Sequence, residues 1–325
     1  MGAILVTGGA GFIGSHLTDR LLADGRQVVV LDNFDPFYDE SAKLANLGGA
    51  LTHPRFQLVR GDIRDAASLA AALAAAPIDA VVHLAARAGV RPSIEDPVAY
   101  VSVNLDGTAR LLDACSRRGV GCFLFGSSSS VYGNNEKVPF AEDDPVDHPI
   151  SPYAATKRAG ELLAHTYHHL YGMKVACLRF FTVFGPRQRP DLAIRKFAGL
   201  MAAGDEIPVF GDGTSGRDYT FVDDIVDGIL RAMERTTGFH IWNLGGASPV
   251  ALNDVIAKLS SGLGTTPRLK RLPRQAGDVD RTWADVTRAK HELGWTPRTS
   301  FDQGMNTFLK WFAAERARSV QGGTR

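Results

Sequence analysis

A glycine-rich turn directly after an apolar run constrains the fold of this chain more than any other feature. Residues 7–14 read T-G-G-A-G-F-I-G, with glycines at Gly8, Gly11 and Gly14. The run Ala3–Thr7 before the turn is typical of a buried strand, and the residues after it, to about Ala23, have a helical pattern. Glycines at these spacings permit a tight turn and close packing of a helix on a strand. The segment therefore predicts a strand–turn–helix unit.

Five further apolar runs, with helical patterns between them, indicate a sheet of parallel strands. The runs are Val28–Leu31, Phe56–Arg60, Ala80–Leu84, Cys122–Phe125 and Val175–Arg179. They are almost continuously apolar, which is typical of strands that are covered on both faces by crossover helices. The pattern predicts an α/β fold with a Rossmann-type doubly wound parallel sheet.

The sequence changes character near Phe184, beyond which turn-forming pairs are frequent and apolar runs are short. A chain of 325 residues is long enough for two domains. We expect a dinucleotide-binding domain over residues 1–183, rejoined by about residues 218–246. Residues 184–325 are expected to form mainly a smaller mixed α/β lobe that binds the substrate.

The composition narrows the possible partners and locations. A formal net charge of +1 gives no general attraction to nucleic acid or to an anionic membrane. The three cysteines form no C-x-x-C pair, and their odd number argues against a disulfide framework. The N-terminus lacks the features of a signal peptide, and the Ala-rich stretch 68–90 is too often interrupted by polar residues to span a bilayer. We expect a cytoplasmic protein that binds neither nucleic acid nor a membrane.

The glycine turn has the setting of a dinucleotide-binding site. Its spacing lets the backbone approach a pyrophosphate, and the N-terminus of the following helix is directed at the phosphates. Asp32 ends the second apolar run, where a carboxylate binds both ribose hydroxyls and repels a 2′-phosphate, so NAD is expected rather than NADP. A purely structural glycine turn is the alternative.

Other candidate cofactor-binding residues follow the third and fourth strands, at the same edge of the sheet. Asp62 taken alone is equally typical of a helix cap. The predicted cofactor-binding residues are Gly8, Gly11, Phe12, Ile13, Gly14, Asp32, Asn33, Lys43, Asp62, Ile63, Leu84, Ala85, Ala86, Tyr153 and Lys157.

Two motifs have the residue types of an acid–base site. Tyr153 and Lys157 are spaced to share one face of a helix predicted over Pro152–Tyr171. The ammonium favours the phenolate and lowers the tyrosine pKa toward that of a general base. The run Ser127–Ser130 follows the strand Cys122–Phe125 and places hydroxyls at the carboxyl edge of the sheet. A surface tyrosine–lysine pair and a plain polar loop are the alternatives.

Five motifs together resemble the extended short-chain dehydrogenase/reductases, which include nucleotide-sugar epimerases, dehydratases and decarboxylases. They are T-G-G-A-G-F-I-G, Asp32, H-L-A-A at residues 83–86, S-S-S-S-V-Y-G at residues 127–133 and Y-A-A-T-K at residues 153–157. The resemblance extends from Ile4 to about Phe312. It implies that Ser128, Tyr153 and Lys157 are the catalytic residues, that Ser128 orders the 4-hydroxyl of the sugar and that Tyr153 moves its proton. It also makes Asn104 a structural asparagine.

The loop after the catalytic serine separates the reaction types within the family. Dehydratases have an Asp-Glu pair there and decarboxylases a glutamate, whereas this chain has Ser129 and Ser130. Elimination of water and decarboxylation therefore lack their proton-transfer group. The resemblance favours 4-epimerisation, in which hydride leaves C4 to NAD, the 4-keto sugar rotates, and hydride returns to the other face. NAD is then a tightly bound cofactor that each turnover regenerates.

Four stretches resemble the UDP-glucuronate 4-epimerases within this family, which interconvert UDP-glucuronate and UDP-galacturonate. They cover residues 32–39, 88–97, 147–157 and 180–192. In this resemblance Thr182 and the hydroxyls of Ser128, Ser129 and Ser130 hold the sugar carboxylate, and Arg189 lies near the sugar. Arg187 is an equal candidate for that arginine.

A 4-epimerase for UDP-glucose or another NDP-hexose stays open as an alternative, as does a noncatalytic NAD-binding protein, since a fold alone does not fix function.

The resemblance also implies residues that contact the nucleotide part of a UDP-sugar. Arg217 corresponds to a diphosphate-binding arginine, and Asp278 to a ribose- and diphosphate-contacting segment. Gln275 stands where glucose-type epimerases often have arginine. Arg91 is a further candidate for the diphosphate or the sugar.

Two expectations concern metals and oligomers. His165, His168 and His169 have helical spacings that metal sites use, but no carboxylate or cysteine cluster accompanies them, so we expect no metal. The helical stretches Val98–Arg118 and Pro152–Tyr171 resemble the pair that forms a four-helix bundle between two subunits of this family. We therefore expect a two-fold homodimer.

Overall fold

The computed structural model describes residues 2–273 and 281–322. Its strands are β1 (Ala3–Thr7), β2 (Val28–Asp32), β3 (Phe56–Arg60), β4 (Ile78–His83), β5 (Cys122–Ser128), β6 (Lys174–Phe180), β7 (Thr182–Phe184), β8 (Glu206–Phe210), β9 (Gly216–Phe221), β10 (Phe239–Leu244), β11 (Pro249–Ala251) and β12 (Arg268–Leu272). Its helices are α1 (Phe12–Ala23), α2 (Glu40–Asn46), α3 (Ala66–Ala74), α4 (Val90–Glu95), α5 (Pro97–Tyr100), α6 (Gly107–Arg117), α7 (Pro152–Tyr171), α8 (Ala193–Ala203), α9 (Val222–Arg235), α10 (Leu252–Leu263), α11 (Thr287–Leu293) and α12 (Phe301–Gly322).

The largest sheet in the described residues has seven strands in the order β10-β6-β5-β4-β1-β2-β3. Every neighbouring pair in it is parallel. The predicted α/β fold with a doubly wound parallel sheet is therefore confirmed. The order reverses between β1 and β4, and in such sheets ligands bind at the carboxyl ends of the strands beside this point.

The strands of this sheet are apolar on both faces because each face is covered by its own core. In β1, Ile4 and Val6 belong to one core and Leu5 to the other. Helices α1 and α9 contribute to the first core, and α3, α6 and α7 contribute to the second. This arrangement explains why the strand sequences do not alternate between apolar and polar residues.

The helical stretch predicted over Val98–Arg118 is formed by α5, a π-helical segment Val101–Asp106, and α6. Asn104 lies in the π-helical segment and is buried. Its side chain accepts the N–H of Arg87 at 2.8 Å and donates to the Arg87 carbonyl at 2.9 Å and to Thr156 Oγ1 at 3.1 Å. These bonds fix the segment after β4 against α7.

The remaining strands form two small sheets beside the large one. One has the order β11-β9-β7, and the other pairs β8 with β12 in parallel. Helices α8, α10 and α12 pack with them, and their apolar residues belong to the same core as one face of the large sheet. Within the described residues, no helix combines the length and the apolar character that a bilayer crossing requires.

Candidate active site

A cavity of about 490 Å³ lies at the carboxyl ends of the large sheet, a size that suits a small-molecule ligand. It contains most of the side chains singled out in the sequence. The predicted residues that line it are Gly8, Gly11, Phe12, Ile13, Gly14, Asp32, Asn33, Lys43, Asp62, Ile63, Leu84, Ala85, Ala86, Ser128, Ser129, Ser130, Tyr153, Lys157, Thr182 and Arg189.

The glycine turn forms one wall of the cavity. Gly8 has φ of 71°, and a Cβ atom there would lie 2.7 Å from the backbone nitrogen of Ala85. A Cβ atom on Gly14 would lie 2.3 Å from the Gly8 carbonyl oxygen. Helix α1 begins after Gly11 without a side-chain cap. Its first N–H groups therefore suit an anion such as a pyrophosphate.

Asp32 lies at the end of β2 and is buried. Its carboxylate accepts the N–H groups of Ala10 at 3.0 Å and Phe34 at 2.9 Å. Burial raises the pKa of Asp32, and these hydrogen bonds and the charge of Lys43 oppose the rise. A carboxylate has about four acceptor positions, so two remain for hydroxyls of a ligand.

Asp62, Asn33 and Lys43 complete this end of the cavity. Asp62 accepts from Asn33 Nδ2 at 2.9 Å, and its pKa is lowered to about 2, chiefly by hydrogen bonds from Arg64. Lys43 Nζ donates to the Asp35 carbonyl at 2.8 Å, and its pKa is lowered by burial. Asp62 thus has an arginine partner that the sequence gave no reason to select.

The other end of the cavity contains the tyrosine–lysine pair on α7. Ser151 caps this helix by accepting the N–H of Ala154 at 3.1 Å. Lys157 Nζ donates to the Gly126 carbonyl at 2.6 Å and lies 6.0 Å from the ring centroid of Tyr153. Burial lowers the pKa of Lys157 to about 8. The buried ammonium is thereby held between the end of β5 and the tyrosine ring.

Tyr153 is in an environment that both opposes and favours its ionisation. Burial raises the pKa of the phenol, while a hydrogen bond with Ser128 and the charge of Arg189 lower it. Tyr100 packs edge-on against the ring at a centroid distance of 6.2 Å. The hydroxyl of Ser128 also accepts the N–H of Ser130 at 3.2 Å, which orders the serine run beside Tyr153.

The structure distinguishes the two arginines of the segment P-R-Q-R-P. Arg187 forms an ion pair with Asp19 of α1 at 2.7 Å and does not line the cavity. Arg189 lines the cavity and pairs with Asp191. Thr182, at the start of β7, lies on the cavity wall too. Arg187 has a positive φ of 61°, and the two arginines contact different elements.

Four predicted substrate-binding residues are not part of the described cavity wall. Arg91 is exposed, and its guanidinium lies 4.6 Å from the ring centroid of Phe210, whereas its neighbour Val90 lines the cavity. Arg217 is on β9 and donates to the Gly216 carbonyl at 3.1 Å. Gln275 and Asp278 lie outside the described residues.

A buried ion pair beneath the site was missed in the sequence. Arg179 of β6 and Glu161 of α7 form two parallel hydrogen bonds of 2.9 Å, with side chains that are 1% and 0% exposed. Ser127 donates to Glu161 at 2.6 Å, and Arg179 donates to Tyr132 Oη at 3.0 Å. Burial opposes the charge of Arg179, but the hydrogen bonds with Glu161 raise its pKa overall.

One signal for this pair exists in the sequence. Tyr153, Lys157 and Glu161 are spaced by four residues and therefore share one face of α7. The pair links the serine run, α7 and β6 through hydrogen bonds.

Comparison with known proteins identifies the relatives of this arrangement. The profile of the GDP-mannose 4,6-dehydratase family matches residues 5–308. A UDP-glucuronate 4-epimerase of Thermodesulfobacterium geofontis is 41% identical over 96% of each chain. The crystal structure of the UDP-glucuronic acid 4-epimerase from Bacillus cereus, in complex with UDP-glucuronic acid and NAD, is 36% identical, with a TM-score of 0.91 over 96% of this chain and 99% of that one.

A glucose-type relative is also similar. The UDP-glucose 4-epimerase of Thermus thermophilus, in complex with NAD, is 32% identical, with a TM-score of 0.87 over 96% of this chain and 99% of that one.

Proposed function

Because this chain belongs to the GDP-mannose 4,6-dehydratase family of extended short-chain dehydrogenase/reductases, we propose that it is an NAD-dependent 4-epimerase that interconverts UDP-glucuronate and UDP-galacturonate. The wall around Tyr153 carries this proposal. In the described residues that line the cavity, the acidic side chains are Asp32, at the end of β2, Asp35, after β2, and Asp62, after β3. The Tyr153 end has hydroxyls instead, which suit epimerisation, and it has no carboxyl group of the kind that dehydratases use to eliminate water.

The residues at the β2–β3 end fit NAD. The glycine turn leaves room for a pyrophosphate at the N-terminus of α1, and Asp32 has free acceptor positions for the ribose hydroxyls. The negative charge of Asp32 disfavours a 2′-phosphate and hence NADP. When bound, NAD supplies the acceptor and donor of the C4 hydride.

The protein's own part in the reaction is to move a proton and to hold the sugar. Tyr153 Oη takes the proton of the 4-hydroxyl and later returns it, and Ser128 orders that hydroxyl by hydrogen bonding. We assign to Lys157, whose Nζ lies 6.0 Å from the ring centroid of Tyr153, the role of favouring the phenolate form of that tyrosine. The pKa of Lys157, about 8, keeps the lysine side chain mostly protonated at neutral pH.

The sugar carboxylate is assigned to the hydroxyl-lined part of the wall. Thr182 approaches from β7, and Ser129 and Ser130 approach from the turn after β5. Hydroxyl donors bind a carboxylate through charge-assisted hydrogen bonds. We assign the diphosphate and ribose contacts to Arg217 and to the segment that contains Gln275 and Asp278, as the family resemblance implies, and Arg91 stays a further candidate for the diphosphate or the sugar.

Proton NMR of the sugar anomeric signals tests this function directly. The purified protein is incubated with UDP-glucuronate and, separately, with UDP-glucose, with and without added NAD. We expect UDP-galacturonate to form from the acid and no turnover of the neutral sugar. Turnover of UDP-glucose alone would instead assign the protein to the glucose-type 4-epimerases, and inactivity on both sugars with NAD present would contradict the proposal.

Replacement of Thr182 by valine tests the assigned carboxylate contact. Valine keeps the shape of the side chain but removes its hydroxyl. A hydrogen bond to a charged group contributes about 1.5–3 kcal/mol, so kcat/KM for UDP-glucuronate is expected to fall roughly 10- to 150-fold. Thr307→Val, on the exposed side of α12, is the matched control. Full activity of Thr182→Val would contradict the assigned contact between Thr182 and the sugar carboxylate.

We further propose a homodimer in which two helices of each protomer form a four-helix bundle. Val98 of α5 is 76% exposed and Leu162 of α7 is 53% exposed, although both are large and apolar. These helices pack against each other within the chain, so a two-fold partner would bring four helices together.

The change Val98→Glu is expected to convert the dimer into a monomer, because a charge in an apolar interface is not compensated. Light scattering should give twice the 35.0 kDa chain mass for the wild type and a single chain mass for the variant. Leu51→Glu, at an exposed apolar residue away from α5 and α7, should leave the dimer intact. A monomeric wild type would contradict the proposal.

We also place the protein in the cytoplasm. Cys115, Cys122 and Cys177 are free thiols in the structure, which is typical of proteins from a reducing compartment.

A further inference from the structure

Arg189 has a partner that occupies one edge of its guanidinium. Its Nε donates to Asp191 Oδ1 at 3.0 Å, and its Nη2 donates to Asp191 Oδ2 at 2.7 Å. The same Nη2 donates to the Ala88 carbonyl at 3.2 Å. The guanidinium carbon lies 5.1 Å from the ring centroid of Phe37. Four contacts thus fix the side chain on the cavity wall.

The Arg189–Asp191 pair also determines the net charge at this part of the cavity wall. Arg189 is 16% exposed and lines the cavity, whereas Asp191 is 35% exposed and does not line it. A bidentate arginine–carboxylate pair has no net charge and directs its strongest donors at its own partner. Among the described residues, the hydrogen bonds of Arg189 use Nε and Nη2, which leaves Nη1 for a ligand.

This pairing matters because the 4-keto intermediate has to rotate in the site during the proposed reaction. An unpaired guanidinium would bind the sugar carboxylate in a bidentate manner, as arginines do with carboxylates. Such binding would hold one face of the sugar ring toward the cofactor site and oppose the rotation that inverts C4. Hydroxyl groups bind a carboxylate less strongly and can exchange it between neighbouring donors.

We infer that Asp191 is a specificity-determining positioning residue, which holds Arg189 and offsets part of its charge so that hydroxyls recognise the sugar carboxylate and the 4-keto sugar stays free to rotate. The inference rests on the proposed function. Asp191 does not line the cavity, so it acts through Arg189 and not by contact with the substrate.

The test compares Asp191→Asn with Asp191→Glu. Asparagine keeps the shape but exposes the arginine charge, so NAD-loaded protein should bind UDP-glucuronate about tenfold more tightly in calorimetry, as one additional charge-assisted hydrogen bond would produce. Binding of UDP-glucose should not change. The kcat for the acid should fall, because the intermediate is held more firmly. Asp191→Glu should keep the wild-type preference.

The pH profile provides a readout that a merely structural role would not change. The groups that face Tyr153 are Ser128 from β5, Lys157 from α7, Tyr100 from α5 and Arg189. In Asp191→Asn the uncovered charge of Arg189 favours the phenolate, so the acid limb of kcat should move to lower pH. Equal losses with both sugars and an unmoved limb would overturn the inference.

Two further variants keep the outcome unambiguous. Adding Arg189→Met to Asp191→Asn should abolish the gain in UDP-glucuronate affinity, since the effect acts through that arginine. Asp24→Asn removes a surface carboxylate that pairs with Arg20, and it should leave affinities and the pH limb unchanged. If the wild type epimerises neither sugar, the proposed function fails, while the calorimetric comparison still decides whether Asp191 controls carboxylate binding.

Discussion

Replacing Tyr153 by phenylalanine is expected to lower kcat for UDP-glucuronate by about 10²- to 10⁴-fold, the usual contribution of a positioned acid–base group. The ring of Tyr153 packs against Tyr100, and the phenylalanine ring keeps that contact. The loss should therefore appear in kcat and not in the affinity for the UDP-sugar. Kinetics by NMR and calorimetry with the same protein preparation measure the two quantities separately.

The pH dependence of kcat provides a second test of this prediction, because the direction of the change is defined. The active form of Tyr153 is the phenolate, and burial raises the pKa of the phenol. Wild-type kcat should therefore fall as the pH decreases through that pKa, and the residual activity of the variant should lack this limb. Tyr171→Phe, at the exposed end of α7, is the matched control. Wild-type turnover by Tyr153→Phe would eliminate the proposed mechanism.

Replacing Arg179 by methionine is expected to lower the free energy of unfolding by up to about 3–5 kcal/mol, because it removes the bidentate partner of a buried carboxylate. Glu161 is fully buried and keeps Ser127 and the half-buried Arg158, at 3.2 Å, as donors, but loses the two 2.9 Å bonds of the Arg179 guanidinium. Urea denaturation followed by circular dichroism measures the change. Methionine is flexible enough to fill the space of the arginine stem.

Two comparisons separate the buried charge from a general effect of losing an arginine. Arg117→Met removes an exposed partner of Asp113 and should change the free energy of unfolding by less than about 1 kcal/mol. Combining Arg179→Met with Glu161→Leu should recover part of the loss, since the buried carboxylate is gone and the half-buried Arg158 still has Asp147 as a partner. If Arg179→Met resembles Arg117→Met, the ion pair does not stabilise the fold.

The elements whose ends are marked by neighbouring residues in the sequence were predicted most accurately. Strands β1 and β3 and helix α7 have the predicted bounds. Helix α7 begins after the capping residue Ser151 and ends at Gly172, which has a left-handed conformation, so both ends are encoded by neighbouring residues. The glycine turn was recognisable for the same reason.

Other features depend on contacts between distant residues. Strand β5 was predicted to end at Phe125 but extends to Ser128, because Gly126, Ser127 and Ser128 continue to pair with β6. The serine run therefore starts inside the strand, and Ser127 is held under the site by Glu161.

The choice between Arg187 and Arg189 also depends on their distant partners. Arg187 pairs with Asp19 of α1, whereas Arg189 contacts the Ala88 carbonyl on the cavity side. No local pattern encodes which element each side chain meets. The roles of the individual site residues stay predictions until the variants are measured.

Strand β10 has a consequence for how the nascent chain folds. It covers the edge of the large sheet beside β6, yet β7, β8 and β9 lie between these two strands in the sequence. At ~5–20 residues per second, synthesis of the roughly 60 residues after Phe180 takes about 3–13 s. During this interval β6 presents unpaired N–H and C=O groups, a template for pairing with other chains. Translation speed and chaperones that bind exposed strand edges should therefore influence the yield of this protein.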